Sequence, residues 1–240
     1  MKHERSLART GLLGVAAAGG AAGLAYGGYA LATWLGYGRI SEPEATGTFD
    51  ALLDEFMPAY EIVDRHETEV RAPGGLTYAA ARAMDINRSP IVRAIFELRA
   101  LPARVRGKHL RRVSHSLVEE TTALGWRQLI EVPGRILVMG AVTRAWEGAP
   151  VFRGVAPEEF RGFSEPGYVK ILWTLEADPL GPARSRFRTE TRACTTDQEA
   201  RASFRNYWAM VSPGVRMIRR QSLGLVKREA ERRFRKGPGR

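Results

Sequence analysis

The C-terminal third of the chain changes its hydrophobic period once, and the change divides it into two elements. Along residues 185–195 (SRFRTETRACT) the pattern alternates, with Phe187, Thr189, Thr191 and Ala193 on one face and Arg188, Glu190 and Arg192 on the other. From residue 196 the step becomes three and four. Ala200, Phe204, Tyr207, Val211, Val215, Ile218, Ser222 and Leu225 then form one stripe that runs across Pro213. This spacing predicts a strand feeding one long, kinked helix, with Thr196 and Glu199 as its capping box.

Upstream, TFDALLDEFMPAY places Phe49, Leu52, Leu53 and Phe56 at helical spacing before Pro58, which predicts a short amphipathic helix. Residues 60–71 alternate, with Tyr60, Ile62, Asp64, His66, Thr68 and Val70 on one face and a charged, solvated set on the other. Asp64 and His66 therefore fall on the apolar face. A turn at APGG leads to a short helix in LTYAAARAMD, and Ser89-Pro90 opens another in PIVRAIFELRAL. The period then returns to two. ALGWRQLIEVPG and RILVMGAVTRAW read as strands around Pro133-Gly134, and GYVKILWTLEA as a strand with Val169, Ile171, Trp173 and Leu175 on one face. Within the long connection 147–167, PEEFRGF reads as one helical turn, and PLGP (179–182) as the turn into the strand at 185.

Residues 11–38 carry no charge, and about 20 apolar residues suffice to cross a bilayer. The run predicts a transmembrane helix over 11–38, with Trp34 and Tyr37 as interfacial anchors. Lys2, Arg5 and Arg9 precede it, and only Arg39 follows before Glu42 and Glu44. That places the N-terminus in the cytoplasm and the domain outside. A cleaved signal sequence ending near Ala30-Leu31-Ala32, with export of the remainder, is the alternative. Gly19, Gly23 and Gly27 give the segment a smooth stripe on which two copies can pair as a homodimer. The expected organisation is a basic N-terminus (1–10), the membrane segment (11–38), a linker (39–47), one folded domain (48–235) and a basic tail (236–240).

The net charge of +11 suggests nucleic acid until it is located. Residues 1–40 hold four Lys/Arg against one Glu and residues 216–240 hold ten against two, so the remainder balances at 23 and 23. The basicity belongs to the ends, and no nucleic-acid partner is expected. A basic run from Arg99 to Arg112 fits either anionic headgroups or a solvated loop. Cys194 is the sole cysteine, which excludes an internal disulfide and a cysteine metal site. His3, His66, His109 and His115 show no metal spacing, and neither a nucleophile elbow nor a phosphate-binding glycine loop occurs. No cofactor and no metal are expected, and no catalytic residue is assigned.

The order of strand, two short helices, antiparallel strands and one long C-terminal helix resembles the helix-grip order of the START-like (SRPBCC, polyketide cyclase and lipid-transport) superfamily. FMPAYEIVDRHETEV, DINRSPIVRAIFELRAL, EVPGRILVMGAVTRAW, TETRACTTDQEARASFRNYW and SPGVRMIRR resemble an uncharacterised bacterial branch of it. The resemblance covers about residues 48–230. It implies an α+β helix-grip fold, a curved antiparallel sheet wrapped around the C-terminal helix, with an apolar pocket between them for a small hydrophobic molecule or lipid. The expected contacts are Asp64, His66, Trp173, Phe204, Tyr207 and Trp208, joined by Glu190 and Arg192 if their face looks inward. The competing reading is a cyclase or dehydratase using acid–base groups in the same pocket. A third is docking to anionic lipid through the basic ends.

Overall fold

The computed structural model describes residues 20, 23–39, 51–85 and 116–237. Its longest strands are those with the clearest alternation, β5 (Val169–Gly181) and β6 (Arg184–Thr195), which pair antiparallel. β1 (Ile62–Val70) lies on the other side of β6. β3 (Ile136–Thr143) pairs with β5, β2 (Arg127–Val132) with β3, and the two-residue β4 (Phe152–Arg153) also with β3. The curved six-stranded sheet therefore runs β1-β6-β5-β3-β2. Every residue of β3 is buried, as its apolar sequence on both faces requires of a strand covered from two sides.

Two sets of helices provide that cover. On one face Val70, Leu137, Met139, Trp173, Leu175, Ala177 and Phe187 pack against Leu223, Val226 and Ala230 of the C-terminal helix, and against Tyr78, Ala80, Ala81 and Met84. That helix is numbered sixth in chain order, α6 (Gln198–Lys236), and the second group belongs to α3 (Gly74–Arg82) and the residues after it. On the opposite face Leu129, Ile136, Val138, Val142 and Leu172 meet Leu53, Phe56 and Met57 in and after α2 (Ala51–Phe56), and Phe160 of the short α5 (Pro157–Phe160). α4 (Leu117–Ala123) precedes β2. The α+β helix-grip arrangement expected from the sequence is the one observed.

Local signals place several boundaries differently. Asp197, not Thr196, caps α6: its Oδ1 accepts the Ala200 N–H at 2.8 Å, while the Thr196 hydroxyl donates to the Tyr168 carbonyl at 3.0 Å. A reciprocal capping box does form at Ser116 and Glu119, ahead of α4, a helix the periodicity did not mark. The PLGP stretch extends β5, pairing Pro179 with Ser185 and Gly181 with Arg184, so the turn shrinks to residues 182–183. α6 continues past the apolar stripe to Lys236, because Val226 and Ala230 carry its buried face further.

The first helix, α1, spans residues 23–35 and lies along α6. Trp34 Nε1 donates to Asn206 Oδ1 at 2.9 Å, Arg205 Nε donates to the Trp34 carbonyl at 2.7 Å, and the Tyr26 hydroxyl donates to the Met210 carbonyl. Tyr37 is buried and donates to Glu61 Oε2 at 2.8 Å. Trp34 and Tyr37, expected as membrane-interface anchors, are here held by α6 and Glu61. Among the described residues no helix is long and apolar enough to cross a membrane. The expected transmembrane helix over 11–38 is therefore not seen as such, its glycine-rich sequence favouring a long span poorly; residues 11–19, 21 and 22 lie outside the described residues. So do Gly19, Phe49, the PIVRAIFELRAL helix and the basic run 99–112.

Gly125, just after α4, has φ 101°, and a Cβ there would collide with the Phe152 carbonyl oxygen. Gly134 in the β2–β3 turn has φ 79° with open space around it. Gly125→Ala is expected to lower stability by about 2–3 kcal/mol and Gly134→Ala by about 1 kcal/mol. Urea unfolding midpoints at constant m-value measure both; equal effects would contradict the close approach at Gly125.

Candidate functional site: a polar centre in the sheet–helix seam

Strand register decides which side chains meet α6. β1 and β6 pair Asp64 with Thr191 and His66 with Thr189, so these four share a face, and Trp173 joins them as the β5 partner of Thr191. The buried stripe of α6 is apolar at both ends, with Phe204 and Trp208 before the middle and Leu223, Val226 and Ala230 after it. Its middle is polar. Ser212 and Ser222 are buried there, and Arg219, whose side chain retains 14% of its exposure, points at the sheet. A polar patch on the helix thus faces a polar patch on the strands.

Asp64 is the centre of this patch and is 6% exposed. Its Oδ1 lies 3.2 Å from His66 Nε2 and 3.5 Å from Arg216 Nε, and its Oδ2 lies 3.2 Å from Arg219 Nε. Arg219 also donates to Thr189 Oγ1 at 2.9 Å and to Thr191 Oγ1. Burial pulls the Arg219 guanidinium below its ordinary value, and the negative charges of Asp64 and Glu190 oppose that pull. Asp64 Oδ2, His66 Nε2 and Arg219 Nε are close in distance but not aligned as hydrogen bonds, and each is buried without a hydrogen-bond partner among the described residues. Tyr29 Oη, on α1, is in the same condition, and the Arg216 guanidinium lies 5.6 Å from its ring centre. Buried polar atoms are almost always satisfied, so a cluster of such atoms marks a place where a further polar group fits.

The other face of the same strands carries a second, fully paired set. Glu190 accepts from Arg65 Nε at 2.6 Å and from Arg192 Nε at 2.8 Å, and Arg192 donates to Asp54 Oδ1 at 2.5 Å and to the Met57 carbonyl at 3.0 Å. The Arg192 guanidinium lies 4.6 Å from the Tyr60 ring centre. Glu190 and Arg192 therefore look away from α6 and bind α2 to the sheet. The face of β6 that meets α6 is the Thr189–Thr191 face.

The remaining expected contacts lie along the seam. Trp173 is buried in the core with its ring 6.3 Å from Trp126. Phe204, Tyr207 and Trp208 cluster with Tyr37 and Ile62, the Phe204 ring 5.9 Å from Tyr207 and 6.1 Å from Trp208. Of the two neighbours, Trp208 is buried and Tyr207 only half-buried. Reading the sequence missed Arg216 and Arg219. The available signal was Arg219 four residues after Val215 and three before Ser222, a cation at helical spacing inside the stripe.

Two clefts flank the C-terminal third of α6, away from Asp64. One, of about 590 Å³, is lined by Glu69, Val70, Arg71, Ala183, Arg184, Lys227 and Phe234. The other, of about 290 Å³, lies between α3 and α6 and includes Met84, Leu225 and Arg228. Among the described residues no group of three metal-ligating side chains occurs.

No family model matches the chain, and no curated protein matches it. Among solved structures, the di-domain aromatase/cyclase BexL of the BE-7585A biosynthetic pathway is 17% identical with a TM-score of 0.32, covering 71% of this chain and 46% of BexL. The chain thus spans under half of that di-domain protein. The Zhui aromatase/cyclase from Streptomyces sp. R1128 is 14% identical with a TM-score of 0.29, over 75% of this chain and 99% of Zhui. Norcoclaurine synthase from Thalictrum flavum, in complex with dopamine and hydroxybenzaldehyde, is 11% identical with a TM-score of 0.32, over 84% and 100%. Likenesses of this degree carry no argument about chemistry; the fold is read from the sheet order and the long helix themselves.

Asp64→Ala removes the carboxylate and leaves Arg219 uncompensated in the seam, which is expected to lower stability by about 3–5 kcal/mol. Adding Arg219→Met should restore most of the loss. A double-mutant cycle by urea unfolding checks the coupling, and additive effects would show that the pair does not interact.

Proposed function

We propose that this domain binds a small, largely apolar molecule or lipid with a polar or anionic head, the head resting on Arg219 and His66 beside Asp64. The observation that supports this most directly is the group of buried, unpartnered polar atoms at the centre of an otherwise apolar seam. Arg216 and Arg219 give that centre two cations against one carboxylate, a balance that favours an anionic or hydrogen-bond-accepting head. Ile62, Trp173, Phe204 and Trp208 supply apolar surface along the same seam. Binding sites of this kind combine an apolar wall with a few placed polar groups.

The acid–base alternative needed Asp64, His66 and Glu190 around one cavity. Glu190 lies on the far face of the sheet in its own ion pairs, which leaves binding as the better-supported reading. Association of the uncharged N-terminal run with a membrane surface, the domain lying outside the cytoplasm, belongs to the same proposal. It is supported by the charge distribution around that run.

Native mass spectrometry of the full chain purified from its host is expected to show a co-purifying apolar adduct. In Arg219→Gln, occupancy at matched protein concentration should fall at least about tenfold, the loss of one charge-assisted contact. A wild-type chain that carries no adduct, or equal occupancy in the variant, would overturn the assignment.

A further inference from the structure

The last turns of α6 combine exposed cations, an exposed aromatic ring and a cleft. Phe234 is 41% exposed, and Arg235 and Lys236, which follow it in the helix, are exposed as well. Arg232 and Arg233 are neutralised within the helix: both donate to Glu229, whose carboxyl their hydrogen bonds hold down to about 2. In the adjoining cleft Arg184 pairs with Glu69 at 2.6 Å, and the Arg71 N–H is taken by Glu231 Oε1 at 3.1 Å. Lys227 lies in the same cleft as Glu69, whose carboxylate is bonded to Arg184 and only more weakly drawn to Lys227, and among the described residues no carboxylate forms an ion pair with Arg235 or Lys236. Lys227 shares the cleft with Phe234, Arg235 and Lys236 follow it directly in the helix, and Val70 and Ala183 line the same cleft beside them.

The path of α1 points the same way. Going back along it, Tyr37 lies beside Arg201, Trp34 beside Arg205 and Asn206, and Tyr26 beside Met210. The chain thus approaches Gly23 while advancing along α6 toward its basic end. The residues before Gly23 continue an uncharged run.

We infer that the C-terminal end of α6, with Phe234 at its centre, is the surface by which the domain sits on an anionic lipid bilayer. Lys227, Arg235 and Lys236 meet the headgroups, and the Phe234 ring enters the boundary between headgroups and acyl chains. Charge complementarity selects the bilayer, and the aromatic ring gives it an apolar contact that a purely solvated basic tail lacks. A nucleic-acid surface would need several stacking platforms spread along a basic groove, and here a single ring stands at a helix end. The inference rests on the end of α6, the cleft beside it and the course of α1, and is independent of what occupies the seam.

The test uses the full chain with Cys194→Ser and Phe234→Cys, labelled at 234 with an environment-sensitive fluorophore. With phosphatidylcholine vesicles containing about one third phosphatidylglycerol, emission should shift to the blue, and 0.5 M salt should reverse the shift, as roughly 4 Å screening lengths imply. Lys227→Glu, Arg235→Glu and Lys236→Glu together should lower the partition constant about a hundredfold or more. Flotation with pure phosphatidylcholine vesicles reads the uncharged N-terminus separately, so loss of tethering and loss of docking are distinguishable. The same emission in neutral and anionic vesicles, or a shift insensitive to the three charge reversals, would overturn the inference. So would a response to single-stranded DNA without one to vesicles.

Discussion

The contact between Asp64 and Arg219 constrains the packing of α6 on the sheet more than any apolar pair does. Apolar side chains in the seam can exchange neighbours at modest cost, but a buried charge has few acceptable partners. A slip of β1 by one residue would turn Arg65 toward α6 and set one arginine against another. A slide of α6 by one turn that brought Val215 to Asp64 would leave Arg219 among Leu175 and Phe187. Strand register and helix position are therefore fixed by the same carboxylate. The apolar ends of the helix stripe add stability to an alignment they do not themselves specify.

β1 and β6 do two electrostatic tasks at once because a strand sends alternate residues to opposite faces. Toward α6 they present Asp64, His66, Thr189 and Thr191; toward α2 they present Arg65, Glu190 and Arg192. The second set is closed, every charge having an aligned partner, and it adds a polar link through Asp54 to a six-residue helix whose Leu53 and Phe56 are already buried on that face. The first set is open: Asp64 Oδ2 and His66 Nε2, and Arg219 Nε opposite them on α6, are buried without aligned partners. Two neighbouring layers built from the same residue types thus differ in one physical respect, hydrogen-bond satisfaction. That difference separates the structural layer from the candidate binding layer.

The elements were legible in the sequence wherever their period was long. β1, β3, β5, β6 and α6 follow from alternation or from three-and-four spacing, and the pairing of Asp64 and His66 on an inward face follows from the same alternation. What the sequence left open was which face of residues 187–193 meets the helix, since both faces carry polar residues and burial alone does not separate them: Glu190 is 2% exposed and Thr191 6%. Only the partners decide, and these lie 28 or more residues away in α6 or in α2. Arg219 was overlooked for a related reason, because a cation in an apolar stripe reads as solvent-facing until a carboxylate is known to oppose it. The cap of α6 shifted from Thr196 to Asp197 because the Thr196 hydroxyl is engaged across the sheet by Tyr168, a contact with no local signature.

Two arginines reach Asp64, and they are not equivalent. Arg216 retains 44% of its side-chain exposure, so water can solvate it whether or not Asp64 is present, and such pairs contribute about 0–1 kcal/mol. Arg219 has no such recourse, and losing its carboxylate would strand a charge in the seam. The energetic weight of the cluster therefore sits on Arg219, while Arg216 sets the local charge. Arg216 is also the side chain that spans from Asp64 to the Tyr29 ring of α1, so the helix leading back to the uncharged N-terminus touches the polar centre through its exposed, weakly bound arginine. A contact of that kind can be remade without unfolding the seam, because the buried pair beneath it holds register on its own.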